Sequence, residues 1–517
     1  MAEEEGIAGL YWKKYRNEES TFALFTPFLV SVAAGNLDSD CFRHCISQDY
    51  HFLQAFLEAY ETVEDYADDD EKKKLIRQLR ESIDKMIHAH QNTVLQEWGF
   101  ELPKVSIPDS TTTKYKDFLL ATASGKIGGE VGGEEGVLPL KRARRKTPFE
   151  KNKVAAYTLA ATAPFMRLYQ NLCAIIITDL DFNTTPTIFK KWLHYHTYSE
   201  EMKDLAQNTE DALNNLSASF TTEDLKITEK LYHQAMKLQV EFFAQQIPKR
   251  TVVPLSRVED PYNSKLTIFS DFDLTCSAVR AHHNLAGYKK FMESIRPRTV
   301  PGEVHEFDYD GLCEALKQVA EFEKEANTKV EGSAGAMMEG LSIDGTKDAG
   351  CDLDLQNGCR EFFQKILKKK YPRIDVHVNS YNWCGDLIRS ALSSDQKARN
   401  IHPNKLVYEA NPLEKLDAFM KVLEGHKISR SSEGRHLKVY IGGEVGDFSC
   451  LVEADIGIVF GSSDSLRILG EHFGVSFVPL LQGVVKKQMG LIHWKPKCGI
   501  LYTVESWAEI QAFILGL

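Results

Sequence analysis

Leu266-Thr-Ile-Phe-Ser-Asp271-Phe-Asp273-Leu-Thr275-Cys-Ser277 is the stretch on which the reading of this chain turns. Its first four residues form an apolar, β-branched and aromatic run of the kind that makes a buried strand. Two aspartates follow, one residue apart, and a hydroxyl sits two residues beyond them. A buried strand ending in D-x-D-x-T places both acids at the carboxyl edge of a sheet, where open α/β folds bind ligands. Like charges so close repel each other unless a cation lies between them, and Mg²⁺ with its oxygen ligands suits that place. Taken alone, the same residues also suit a turn whose aspartates accept backbone N–H groups. Their surroundings decide between the two.

Downstream, short apolar runs alternate with helical stretches. The runs fall at 266–269, 374–378, 437–441 and 456–460, with a late one near 475–478. Such alternation predicts a parallel, doubly wound α/β sheet. The mostly helical, charged interval from about 280 to 371 is expected to be an inserted cap over the substrate. Ser380 follows the second run, where its hydroxyl can hold a phosphate oxygen. Lys415, in Pro412-Leu-Glu-Lys-Leu-Asp, heads a helix and can neutralise an oxyanion. After the third run comes Gly442-Gly-Glu-Val-Gly-Asp447, a glycine-rich turn whose acids can reach a metal.

That ordered set resembles the haloacid dehalogenase superfamily of phosphohydrolases. The resemblance implies that Asp271 is the nucleophile, forming an aspartyl-phosphate, and that Asp273 is the general acid and then base. It implies that Ser380 and Lys415 hold the phosphoryl group, and that Mg²⁺ is held by Asp271, Asp273 and Asp447. The family's acidic loop usually begins Gly-Asp. Here Gly443 stands in the aspartate position, with Glu444 one residue on.

Upstream, residues 1 to about 250 read as helix after helix. Phe42, Cys45, Ile46, Asp49, Phe52, Leu53 and Phe56 recur at the spacing of a buried helical face. Asp49 is therefore on an apolar stripe, where an unpaired carboxylate is costly. Either it binds a polar ligand or an internal partner matches it. A helix expected from about 155 to 177 carries Phe165, Tyr169, Leu172, Cys173 and Ile176 on one side. Another, from about 226 to 246, puts Gln239 among Tyr232, Met236, Phe242 and Phe243, with Glu241 more solvated. Inward polar groups on several helices resemble a ligand pocket or a buried hydrogen-bond network.

Ser47-Gln-Asp49-Tyr50, Tyr115, Ala163-Pro164-Phe165 with Tyr169, and Trp192 before Tyr198-Ser-Glu-Glu201 are similar to the TenA family. Those proteins are all-helical and hydrolyse aminopyrimidine breakdown products of thiamin. The resemblance implies that Asp49 binds the pyrimidine, with Tyr115, Tyr169 and Gln239 lining the pocket. It also implies a homo-oligomer formed through this half. Three positions depart from the pattern. Phe165 stands where many members have a catalytic cysteine, Gln239 where an acid is expected unless Glu241 serves, and Phe52 where some have tyrosine. Glutamine hydrogen-bonds an amine but does not exchange a proton near neutral pH.

The expected architecture is a TenA-like helical domain over 1–250, with an insertion at about 125–149, then a haloacid dehalogenase-like domain over 262–517. The insertion ends in the basic run Lys141-Arg-Ala-Arg-Arg-Lys146, read as a solvated loop, and prolines 248, 254 and 261 mark the junction. Fusion of these two families resembles plant bifunctional thiamin-salvage enzymes. The substrates it implies are thiamin monophosphate and aminopyrimidines.

Composition agrees with this division and narrows the partners. A chain of 517 residues, 43% hydrophobic and 26% charged, is ordinary globular material too long for one core. A net charge of -11 argues against nucleic acid as a partner, and no apolar run approaches the roughly 20 residues that span a bilayer. The ten cysteines are scattered, with no C-x-x-C pair and no zinc spacing. The acidic start Met-Ala-Glu-Glu-Glu-Gly lacks the Arg-rich character of a transit peptide. The chain as written is expected in the cytoplasm, and a longer precursor in the mitochondrion.

Overall fold

The computed structural model describes residues 6–67, 69–96, 107–126, 148–179, 187–257, 265–278, 306–334, 349–368, 373–380, 385–392, 401–403, 412–427, 436–461 and 463–517. The basic run at 141–146, Trp383 and Pro261 lie outside them. Two compact units emerge, Met1–Thr251 and Val252–Gly516.

The first unit is helical throughout its described residues. Its helices are α1 (Ile7–Leu24), α2 (Pro27–Ala33), α3 (Ser39–Val63), α4 (Asp70–Gln96), α5 (Ser110–Ala123), α6 (Pro148–Asp179), α7 (Thr187–Tyr198), α8 (Glu200–Leu216) and α9 (Thr222–Gln245). Their starts follow capping chemistry. Asp38 accepts from Cys41 N ahead of α3, and Asp109 accepts from Thr112 N ahead of α5. Thr221 and Asp224 form a reciprocal capping box on α9. The long α6 packs against α5, α7, α8 and α9, which its alanine-rich sequence permits by letting backbones approach. Ala155, Ala156, Ala160 and Ala161 on it are fully buried.

The second unit is a seven-stranded parallel sheet in the order β3-β2-β1-β4-β5-β7-β6. The strands are β1 (Lys265–Ser270), β2 (Arg373–Val378), β3 (Ile401–Pro403), β4 (His436–Gly442), β5 (Ile456–Phe460), β6 (Ser476–Pro479) and β7 (Ile500–Val504). β1 lies inside the sheet between β2 and β4, buried along its length, as its unbroken apolar run requires. Register fixes the site, since Ser270 pairs with Val378 of β2 and with Ile441 of β4. Asp271 and Asn379, which follow β1 and β2, and Gly442, the last residue of β4, therefore stand at one edge of the sheet.

Around the sheet lie α10 (Tyr309–Ala334), α11 (Cys359–Lys368), α12 (Gly385–Leu392), α13 (Pro412–Lys427), α14 (Phe448–Glu453), α15 (Asp464–His472), α16 (Leu480–Gly490) and α17 (Trp507–Ile514). Of the interval expected as a cap, α10 covers the sheet itself. Its Leu312, Leu316 and Val319 share a core with Phe269, Phe419, Tyr440 and Val459. Stretches 279–305 and 335–348 of that interval lie outside the described residues. The α/β unit begins at Val252, ahead of the expected 262, for a hydrogen-bonding reason. Leu255 and Ser256 N–H donate to the carbonyls of Phe513 and Ile514, satisfying the end of α17.

Candidate functional sites

At the carboxyl edge of the sheet, four predicted residues converge. Asp271 N–H continues the β4 ladder by donating to Ile441 O at 2.8 Å. Lys415, in the first turn of α13, donates from Nζ to Asp271 Oδ1 at 2.6 Å and to Asp447 Oδ1 at 2.5 Å. Asp271, Asp273, Lys415 and Asp447 are 2%, 7%, 4% and 0% exposed, so all four charges stand in a medium that strengthens their interactions. Leu274, with φ +56°, makes the sharp turn of the loop, and Thr275 donates to Asp271 Oδ2 at 3.4 Å. Ser380 stands just beyond β2, its buried Oγ without a hydrogen-bond partner among the described residues. A buried hydroxyl in that state suits an incoming acceptor such as a phosphate oxygen.

Three further residues shape this edge, and sequence reasoning gave them no role there. Asn379 ties β2 to α13 by donating from Nδ2 to Lys415 O at 3.0 Å. Tyr440 donates its hydroxyl to Asp447 Oδ1 at 3.0 Å. Trp507 donates from Nε1 to Thr275 O at 2.8 Å and so pins the D-x-D-x-T loop to α17. For Asn379 the available signal was its position, beside Ser380 at a strand end.

Burial pushes the Asp271 carboxyl well above the usual range, as do the charges of Asp447 and Asp273, while the Lys415 ammonium opposes them. Burial alone lowers Lys415, but the charges of Asp271 and Asp447 outweigh it and hold the ammonium charged. The single lysine thus serves two buried acids.

Asp271 and Asp273 offer the hard oxygen donors that Mg²⁺ takes, and on their side of the edge the residues fit such an ion. Asp447, also expected among the ligands, accepts four hydrogen bonds. Its Oδ1 accepts from Lys415 and Tyr440, and its Oδ2 accepts from Gly443 N and Glu444 N at 3.0 and 3.1 Å. A carboxylate with four donors has its acceptor sites engaged, so in this arrangement Asp447 positions Lys415 and the glycine-rich turn. Among the described residues no group of three or more His, Cys, Asp or Glu could hold a metal ion. Gly443 has its own physical cause: a Cβ there would stand 2.6 Å from Phe460 O, so the backbone leaves no room for an aspartate.

In the helical unit, the expected pocket residues also meet. Tyr169, on α6, donates to Asp49 Oδ1 on α3 at 2.6 Å. Burial pushes Asp49 up to about 7, against the lowering effect of the Tyr169 bond. Tyr115 is turned to the backbone, donating to Ala161 O at 3.0 Å. Gln239, fully buried, donates from Nε2 to Phe165 O at 2.9 Å, and its Oε1 has no partner among the described residues. Glu241 instead pairs with Lys114 at 2.6 Å, away from this group. Phe52 and Phe165 stand 5.4 Å apart, centroid to centroid, and Phe52 meets Phe242 at 4.9 Å. Aromatic rings therefore fill the space beside Asp49.

The raised Asp49 pKa carries a stability consequence. The folded chain keeps this proton up to about pH 7, whereas an unfolded aspartate releases it near about 3.9. Ionisation thus favours the unfolded state increasingly between those limits, so stability falls as pH rises from about 4 to 7 and then levels. The Asp49→Asn variant lacks this slope. It should gain on wild type by on the order of 2–4 kcal/mol between pH 5 and pH 8, measured by thermal denaturation of both proteins at each pH. A difference that does not change with pH would show that Asp49 ionises freely.

A family model described as the TENA/THI-4/PQQC family matches residues 17–127, which assigns the helical unit to that class. Over 573 aligned residues the chain is 42% identical to a protein of Arabidopsis thaliana named bifunctional TH2 protein, mitochondrial, covering 99% of this chain and 90% of the relative. The chain belongs to the bifunctional TH2 family. Two solved structures are also similar, each 16% identical with a TM-score of 0.36: TenA homologues from P. horikoshii OT3 and Pyrococcus furiosus. They cover 47% and 46% of this chain, and 98% and 99% of their own. Among the described residues no helix is long and apolar enough to cross a membrane.

Proposed function

We propose that the α/β unit is a Mg²⁺-dependent phosphatase that hydrolyses thiamin monophosphate to thiamin. The observation that carries the reading is Lys415 held between Asp271 and Asp447 at the edge where β1, β2 and β4 end. Asp271 attacks phosphorus, forming an aspartyl-phosphate as the ester P–O bond breaks. Asp273 gives its proton to the departing alkoxide, then takes one from the water that attacks the aspartyl-phosphate. That second step releases inorganic phosphate and restores the Asp271 carboxylate. Ser380 and Lys415 hold the phosphoryl oxygens and offset their charge. Mg²⁺, when bound by Asp271 and the Asp273 carbonyl, supplies positive charge between nucleophile and phosphate. The choice of thiamin monophosphate rests on the family and on the fusion, and cytoplasm or mitochondrion is the location it implies.

The helical unit is read as the pyrimidine-binding partner in the same salvage function, a TenA-type module that also carries homo-oligomer contacts. Asp49 with Tyr169 provides the binding pair for an aminopyrimidine. Hydrolysis there is disfavoured by one observation: Gln239 and Phe165 bond to each other where the proton-transfer groups are expected. The experiment assays the full chain on a panel of phosphate monoesters, with Mg²⁺ and with chelator, and on aminomethylpyrimidine for ammonia release. Thiamin monophosphate is turned over fastest, and chelator stops it. Absence of phosphate release from every ester would sink the phosphatase, and ammonia release abolished in Asp49→Ala would restore the hydrolase.

A further inference from the structure

Leu274 holds a backbone conformation that its side chain disfavours. Its φ of +56° puts a bulky residue in the left-handed region, where Cβ crowds the following carbonyl oxygen. Such a turn persists only where its surroundings over-determine it. Before the turn, Asp271 is fixed by the sheet through its N–H on Ile441 O, and by Lys415 at 2.6 Å. From Leu274 onward, consecutive carbonyls accept from other parts of the fold. Thr275 O accepts from Trp507 Nε1 at 2.8 Å, and Cys276 O from Gln356 N at 2.8 Å. Leu274 O accepts more loosely from Gln356 Nε2, at 3.4 Å. Trp507 is itself firmly placed. It opens α17, whose first turn is fixed by a capping box between Ser506 and Glu509. Its fully buried ring stands 5.2 and 5.6 Å, centroid to centroid, from those of Phe362 and Phe363 on α11.

Resting on the phosphatase reading above, we propose that Trp507 is a positioning residue for the phosphatase reaction. Its indole N–H holds the left-handed turn at Leu274 and so sets Asp273 and Thr275 against Asp271. The two sides of the turn depend on it unequally. Asp271 keeps its own anchors on β4 and Lys415, so the nucleophile stays in place without the indole. Asp273 precedes the turn directly and Thr275 follows it, its hydroxyl reaching Asp271 Oδ2 at 3.4 Å. Without the indole N–H, the buried Thr275 carbonyl loses its donor, a costly state, and Leu274 relaxes toward negative φ. That movement turns the proton-transferring Asp273 out of line. Ser380 and Lys415, which hold the phosphoryl group, stand on other segments of the chain and stay where they are. The loss therefore falls on kcat and spares KM.

The test measures turnover of thiamin monophosphate by the full chain with Mg²⁺. Trp507→Phe keeps an aromatic ring and removes the donor, and kcat falls about tenfold with KM little changed. Asparagine adopts left-handed backbone far more readily than leucine, so Leu274→Asn makes the turn less dependent on the indole. In that background the same Trp507→Phe change costs about threefold or less. Phe363→Leu trims a neighbouring ring and leaves Nε1 in place, so it lowers the melting temperature and keeps kcat. Gln356→Met removes the weaker side-chain donor and gives a smaller loss of kcat, which serves as the test if Trp507→Phe does not fold. Wild-type kcat in Trp507→Phe, or in Gln356→Met where the first does not fold, would overturn the assignment. So would an equal loss with and without Leu274→Asn, or a kcat loss in Phe363→Leu as large as that in Trp507→Phe. Each of these leaves the phosphatase in place. If wild type hydrolyses no phosphate ester, the phosphatase reading falls and this assignment with it.

Discussion

Asp271→Asn should lower phosphate-ester turnover by roughly four orders of magnitude or more, with the fold retained. The amide matches the carboxylate in shape, and its oxygen can still accept from Lys415, so packing at the end of β1 barely changes. What it loses is the ability to form an acyl phosphate, and with it the division of one hard step into two. Its stability should hold or rise, because burial and Asp447 both disfavour the ionised acid that is removed. Two measurements check this. Steady-state turnover gives the rate loss, and acid-quenched intact-mass spectrometry should find a phosphorylated chain in wild type but not in the variant. In Asp273→Asn that species should accumulate if its decay depends on Asp273 as base. Undiminished turnover by Asp271→Asn would exclude Asp271 as nucleophile, whatever its neighbours suggest.

Much of the α/β unit was legible because its chemistry is contiguous or ordered along the chain. Asp271 and Asp273 adjoin an unmistakable strand, and Ser380 and Lys415 follow in sequence. Five strands were expected and seven are present among the described residues. β3, Ile401–Pro403, has three residues and ends in proline, too short for alternation to register. β7, Ile500–Val504, is a branched and aromatic run after a glycine, a signal that sequence did contain. The role of Asp447 was not legible, because its four donors come from β4, α13 and its own turn. Only the fold shows that its lone pairs are engaged. Gly443 illustrates the same limit, since its constraint is the Phe460 carbonyl across the sheet edge. Asp49 was legible as an acid on an apolar stripe. Its partner Tyr169 lies 120 positions away, and spacing within one helix says nothing about that meeting.

Lys415→Met should destabilise the α/β unit by about 3–5 kcal/mol near pH 8, the usual result of breaking a buried ion pair on one side. Methionine fills most of the space that the lysine stem occupied, so the loss is of charge. The two acids do not suffer alike. Asp447 keeps Tyr440 and two backbone donors, whereas Asp271 keeps the longer bond from Thr275. Without the ammonium, the Asp271 pKa rises further. An acid whose folded pKa is raised stabilises least at high pH, since the unfolded chain ionises from about 3.9 upward while the folded one resists. The deficit should therefore shrink on going from pH 8 to pH 5, as measured by the melting temperatures of variant and wild type. Lys415→Met with Asp271→Asn should recover much of the loss at pH 8, because the uncompensated charge is gone. Lys415→Arg should not restore activity, because a planar fork cannot replace a compact ammonium bonded to two oxygens from different elements. A deficit that is constant with pH, and untouched by Asp271→Asn, would place the loss in packing and remove the argument that Lys415 is the charge on which this edge depends.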